Sequence, residues 1–117
     1  VGVVHSADGA RRAAITESII NQLGVSSVHW VKISLDRSFT DIIDEKEFVD
    51  CDSIFVGAGI GKVNIFAQLH NFCGPVLDLG YLFEAWHNRE NKFKRVYCAT
   101  DDDWQSRGVE NVFEAGI

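Results

Sequence analysis

The chain has 117 residues and a mass of 13.0 kDa, one domain's worth over residues 1–117. A hydrophobic content of 46% fills one core and excludes a disordered or fibrous protein. Its 11 Lys and Arg against 17 Asp and Glu leave a net charge of −6, which repels a phosphate backbone and argues against nucleic-acid binding, though not against a nucleotide held in one local basic or amide-rich spot.

Val1–Val4 reads as a first strand, after which His5-Ser6-Ala7-Asp8-Gly9 turns the chain. Ile15, Ile19, Ile20 and Leu23 recur at helical spacing, and Gly24 stops that helix. Val28–Ile33 is a second strand. Phe39, Ile42 and Ile43 open a helical stripe in an acidic segment that ends near Asp52. Ser53–Val56 is a short buried strand leading into Gly57-Ala58-Gly59-Ile60-Gly61-Lys62. Ile65, Phe66, Leu69, Phe72 and Cys73 line one face of the next helix, which Gly74-Pro75 ends. Val76–Leu79 is a fourth strand, and Leu82, Phe83 and Trp86 suggest a short helix. Arg95–Thr100 is a fifth strand, followed by Asp101-Asp102-Asp103-Trp104, and Gln105–Ile117 carries only a weak pattern.

No apolar run approaches the roughly 20 residues that cross a bilayer, and no basic-then-apolar leader opens the sequence, so no membrane partner is expected. Cys51, Cys73 and Cys98 are far apart and form no Cys-x-x-Cys pair. They read as buried reduced thiols, not as a disulfide framework or zinc site, which fits a cytoplasmic protein. The sequence holds no Met, even at its first position, so a piece of a longer protein is expected. Oligomeric state is left open.

Alternation of strands and helices predicts an α/β fold, with right-handed crossovers and a mostly parallel sheet of about five strands covered on both faces. Such sheets bind ligands beyond the carboxyl ends of their strands, near the point where strand order reverses. That rule selects Asp8-Gly9, Ser34–Asp36, Gly57–Lys62, Asp78–Tyr81 and Asp101–Asp103.

The glycine corner carries most of the functional inference. Gly57, Gly59 and Gly61 let the backbone turn tightly and approach a ligand without a Cβ in the way. The helix that follows aims free N–H groups and its positive end at the loop, which suits a phosphate or diphosphate, and Lys62 adds a cation. The spacing is one residue short of the dinucleotide fingerprint Gly-x-Gly-x-x-Gly. It also lacks the Walker A length and the Ser or Thr after Lys, so neither a nicotinamide cofactor nor ATP hydrolysis is indicated. The competing reading is that the glycines serve close strand–helix packing.

The stretch Phe55-Val56-Gly57-Ala58-Gly59-Ile60-Gly61-Lys62, continuing through Gly74-Pro75-Val76-Leu77-Asp78-Leu79-Gly80 to Trp86, resembles the GT-D-type glycosyltransferase-like family. Asp78-Leu79-Gly80 matches that family's Asp-hydrophobic-Gly element, and Trp86 its aromatic. The loop is one residue shorter than the family's, and Asp8-Gly9-Ala10 ends in Ala where an Asp-x-Glu metal motif would end in Glu. The resemblance implies a Rossmann-like three-layer sandwich and a nucleotide-sugar donor site. The substrate-binding candidates are Gly57, Gly59, Gly61, Lys62, Asp78, Gly80, Tyr81 and Trp86.

Other residues add candidate chemistry. Asp78, at a strand end, either accepts a ribose or sugar hydroxyl, helps hold a metal, or caps the helix beginning near Tyr81. Asp101 and Asp103 are metal candidates for Mn²⁺ or Mg²⁺ bridging to a diphosphate, against the alternative of a solvated acidic loop. His5 is the nominee for a catalytic base, although a structural role suits all four histidines. Arg11 and Arg12 could reach a phosphate. Trp86 and Trp104 could stack on a base or sugar ring. The expected function is a glycosyltransferase-like domain that binds a nucleotide sugar. The alternatives are a non-catalytic module for a nucleotide or other phosphorylated small molecule, and a small structural α/β interaction domain.

Overall fold

The computed structural model describes residues 1–80 and 82–87. The chain divides after Gly80 into two units. The first, Val1–Gly80, contains β1 (Gly2–His5), α1 (Gly9–Leu23), β2 (His29–Lys32), a 3-10 turn at Glu45–Phe48, β3 (Ile54–Gly57), a second 3-10 turn at Gly59–Gly61, α2 (Lys62–Gln68) and β4 (Val76–Asp78). In the second, Leu82–His87 forms α3, in which Phe83 and Trp86 meet edge to face at 5.8 Å.

All strand pairings are parallel, in the order β2-β1-β3-β4. The register sets Val4 beside Val31 and Val56, and Val3 beside Trp30 and Phe55. Side chains alternate along a strand, so these two rows face opposite ways. Behind the Val4 row, Ile65 and Leu69 of α2 and the ring of Phe48 complete a buried core. Gly2 leaves the room for that ring, since a Cβ there would lie 2.7 Å from Phe48 Cε1. On the Trp30 side lies α1. Trp30 Nε1 donates to Thr16 Oγ1 at 2.7 Å, and the Arg12 guanidinium stands 5.1 Å over the indole. Ile15 and Ile19 of α1 are fully buried.

Helix α1 ends as expected. Gly24 takes φ 66°, and its N–H donates to the Ile20 carbonyl. The buried stripe is narrower than expected, because Ile20 and Leu23 are exposed.

Three expectations are corrected. The acidic segment from Phe39 to Asp52 is not a helix; it is irregular apart from the turn at Glu45–Phe48, which Asp44 caps by accepting from the Lys46 N–H at 3.0 Å. Its carbonyls are satisfied from α2, where Asn64 Nδ2 donates to the Ser38 and Asp41 oxygens and Gln68 Nε2 donates to the latter. A helix has no need to form when side chains supply those bonds, and Phe39 and Ile42 then stand exposed while Phe48 enters the core. Helix α2 stops at Gln68, short of Phe72, and Cys73 is exposed rather than buried. The sheet of the described residues has four strands, not five. The fifth expected strand, Arg95–Thr100, lies outside the described residues. So do Tyr81, Cys98, Asp101, Asp103 and Trp104. Among the described residues no helix is long and apolar enough to cross a membrane.

Candidate functional site

From β1 the chain runs to β2 at one side of the sheet, and from β3 to β4 at the other. The carboxyl ends of β1 and β3 are therefore neighbours at the point where strand order reverses, the position at which open parallel sheets take their ligands.

At the end of β1, the His5 ring is 5% exposed and its Nδ1 accepts the Ala7 N–H at 3.0 Å. Burial, with help from the Arg11 charge, lowers its pKa from 6.5 to about 4. The imidazole is thus neutral near pH 7, with Nδ1 engaged and its ring edge-on to Trp30 at 6.2 Å. That is the geometry of a core histidine, not of a base open to substrate. Three residues on, Asp8 Oδ2 and Lys32 Nζ lie 2.6 Å apart and tie the end of β1 to that of β2. The bond from Lys32, then its charge, holds the Asp8 carboxyl below its ordinary range.

At the end of β3 the three glycines part company. Gly57 lies beside His5 in the sheet. Gly59 takes φ +55°, and a Cβ there would meet nothing within 4 Å, so the corner is open at this residue. Gly61 is buried, and a Cβ there would collide with the Ser38 side chain and lie 2.5 Å from its carbonyl carbon. The packing reading is correct for Gly61, and the open-approach reading is available only at Gly59. The amides divide similarly. Those of Gly61 and Lys62 donate to the Ala58 and Gly59 carbonyls, whereas those of Gly59 and Ile60 carry no hydrogen bond among the described residues. The stretch of backbone open to a ligand is consequently narrower than the sequence suggested, and the helix behind it has only seven residues.

Lys62 Nζ lies 3.7 Å from Asp78 Oδ2 at the end of β4, with both side chains well exposed. Gly80 follows with φ +46°. The structure therefore brings together Gly57, Gly59, Lys62, Asp78 and Gly80. Trp86 belongs to α3 in the second unit, and Tyr81, Asp101 and Asp103 lie outside the described residues. Among the described residues no three His, Cys, Asp or Glu side chains are placed to share a metal ion.

One feature was selected by the strand-end rule without a role, and another escaped sequence reasoning. A cleft of about 590 Å³ opens at the carboxyl ends of β1 and β2, lined among others by Ser6, Asp8, Lys32, Ser34, Asp36 and Asp41. It unites two of the places selected from the sequence, Asp8-Gly9 and Ser34–Asp36, each just past a strand. The second is the brace between the loop after β2 and the glycine corner, in which Ser38 Oγ donates to the Ala58 carbonyl at 2.9 Å while Asn64 and Gln68 hold the rest of the loop. Nothing local in the sequence announces it, since its partners stand 20 or more positions apart.

Set against family models, curated proteins and solved structures, the chain matches none.

Proposed function

We propose that this chain is a binding domain for a nucleotide or other phosphorylated small molecule, whose anionic group sits at the glycine corner. The observation that carries the reading is the open, positive-φ Gly59 at the switch between β1 and β3, with two amides that carry no hydrogen bond among the described residues. An exposed cation stands nearby in Lys62. A Rossmann-like sandwich is our reading of the strand order with α1 and α2 on opposite faces. Free thiols at Cys51 and Cys73 fit a reducing, cytoplasmic setting.

A glycosyltransferase of the GT-D type is the second reading. In its favour, the 3.7 Å approach of Lys62 to Asp78 joins the glycine loop to the Asp-Leu-Gly element, the two parts of the resemblance. Asp78 could then accept a donor hydroxyl. Mn²⁺ or Mg²⁺ enters only in this reading, and its candidates Asp101 and Asp103 are not among the described residues.

Thermal denaturation with UDP, GDP and their sugars, with and without Mn²⁺, tests both. A ligand at 100 times its Kd adds about 2.7 kcal/mol to stability and raises Tm. A rise without metal supports the binding module. A rise that needs Mn²⁺, with release of the sugar over time, supports the transferase. Lys62→Ala should weaken binding several-fold at little cost to stability, because its ion pair is exposed. No shift with any of these ligands would refute the proposal.

A further inference from the structure

We infer that the cleft at the carboxyl ends of β1 and β2 receives the hydroxyl-bearing sugar of the ligand whose anionic group sits at the glycine corner. This rests on the reading just given and adds to it the position and chemistry of the ligand's other half.

Placement comes first. Strand β1 lies between β2 and β3, so the cleft starts one strand spacing from the corner and its β2 side is two spacings away, about 10 Å. A ribose joined to a diphosphate spans a comparable length. At about 590 Å³, the cleft also falls within the range of small-molecule sites.

Charge comes second. Among the described residues, Asp8, Asp36 and Asp41 line the cleft against one cation, Lys32. A second phosphate would be repelled there. Nor are the carboxylates a free cluster awaiting a metal. Asp41 accepts the Ser34 N–H at 2.6 Å and its hydroxyl at 3.0 Å, and Asp8 is held by Lys32 at 2.6 Å. Asp36 is different, being exposed and making no hydrogen bond or ion pair among the described residues. An unengaged carboxylate accepts hydrogen bonds from a vicinal diol, one hydroxyl to each oxygen. Ser6, which also lines the cleft, carries a hydroxyl that can serve as a further partner.

Coupling comes third. The loop that carries Ser34, Asp36 and Asp41 is the one that Ser38, Asn64 and Gln68 bind to the glycine corner. The two half-sites are thereby held in register, as one bipartite ligand requires.

The test compares UDP and GDP with their 2′-deoxy counterparts and with inorganic pyrophosphate, by calorimetric titration of the intact chain and of Asp36→Asn. Asp36 is exposed, so its substitution leaves the fold in place, and far-ultraviolet circular dichroism checks this. The expected result is a preference of about ten-fold or more for the ribo form in the unaltered chain. In Asp36→Asn the preference disappears while pyrophosphate binds as before. Pyrophosphate binding with no ribo preference, or a preference that survives Asp36→Asn, would overturn this inference and leave the glycine-corner reading standing. If neither pyrophosphate nor any nucleotide binds, both fall. Displacement of the nucleotide by spermidine would show that the cleft takes ammonium groups instead, and would also overturn it.

Discussion

Substituting Ala at Gly61 and at Gly59 separates two roles that the same short motif combines. Gly61 has φ −86°, which any residue adopts, so the cost of a methyl there is steric alone. The added Cβ would lie 2.5 Å from the Ser38 carbonyl carbon and 2.6 Å from its Cβ, where carbon atoms rest at about 3.5–4.0 Å. The loop must retreat by about 1 Å. That movement strains the 2.9 Å bond from Ser38 Oγ to the Ala58 carbonyl and the 2.9 Å bond from Asn64 to the Ser38 carbonyl. Overpacking costs about 1–3 kcal/mol and each of the two lost bonds about 1 kcal/mol, so Gly61→Ala should lose about 3–5 kcal/mol. At Gly59 the space is open and only the backbone objects, since φ +55° costs an L residue about 1–2 kcal/mol. Urea denaturation of the two variants should therefore differ by about 2–3 kcal/mol, with Gly61→Ala the weaker fold. Nucleotide affinity should show the reverse order, because only the Gly59 methyl sits beside the unbonded amides. Equal stability losses, or a larger loss at Gly59, would refute the assignment of Gly61 to packing.

His5 binds a proton less readily in the fold, at a pKa of about 4, than in the unfolded chain at 6.5. Stability is therefore lost as pH falls from 6.5 towards 4, at up to about 1.4 kcal/mol per pH unit and about 3 kcal/mol in all. The depressed carboxyl of Asp8 acts only below its ordinary 3.8, so it does not contribute in that window. Urea midpoints measured against pH should be flatter above pH 4 in His5→Phe, and an unchanged slope would count against a buried neutral ring. Asn64→Ala removes the donor to both the Ser38 and Asp41 carbonyls. It should cost about 2 kcal/mol and speed hydrogen exchange of amides in the loop from Ser34 to Ile43; unchanged exchange would show that the loop stands without this brace.

Much of the fold was legible because it is local. The runs Val1–Val4 and Ser53–Val56 are β-branched and short, and each forms a strand displaced by one residue, as Gly2–His5 and Ile54–Gly57. Spacing of Ile15 and Ile19 with Gly24 behind them was enough to place α1 and its end. The failure at Phe39–Asp52 has the opposite origin. Phe39, Ile42 and Ile43 repeat at helical spacing, but the backbone there is tied down by Asn64 and Gln68, up to 27 positions later. Periodicity reports a helix only when the backbone has no better partners, and that competition is invisible within a short window. His5 illustrates the same limit for chemistry. Its place at a strand end suggested a base near a cleft. Strand order decides otherwise, because β1 has neighbours on both sides and desolvates its last residue, while His29 on the outer strand stays exposed.

The charge of the chain and the site proposed for it are compatible for a reason of distance. A net charge of −6 disfavours a long polyanion, which must lie across much of the surface. A small anion samples only its immediate field. At physiological ionic strength, exposed charges fade over about 8 Å, less than the two strand spacings between the end of β2 and the glycine corner, while the nearer Asp8 is paired with Lys32. Lys62 and the Gly59 and Ile60 amides can therefore govern the corner while Asp8, Asp36 and Asp41 govern the cleft. The resulting polarity orients the ligand, with its anionic end over β3 and its hydroxyl end over β2. Reversing that polarity at the cleft, as Asp36→Lys would, should admit a second phosphate there and raise affinity for pyrophosphate while abolishing the preference for a ribo over a deoxyribo nucleotide. Titration of that variant with both nucleotides decides the matter, since a retained ribo preference would mean that the sugar lies elsewhere.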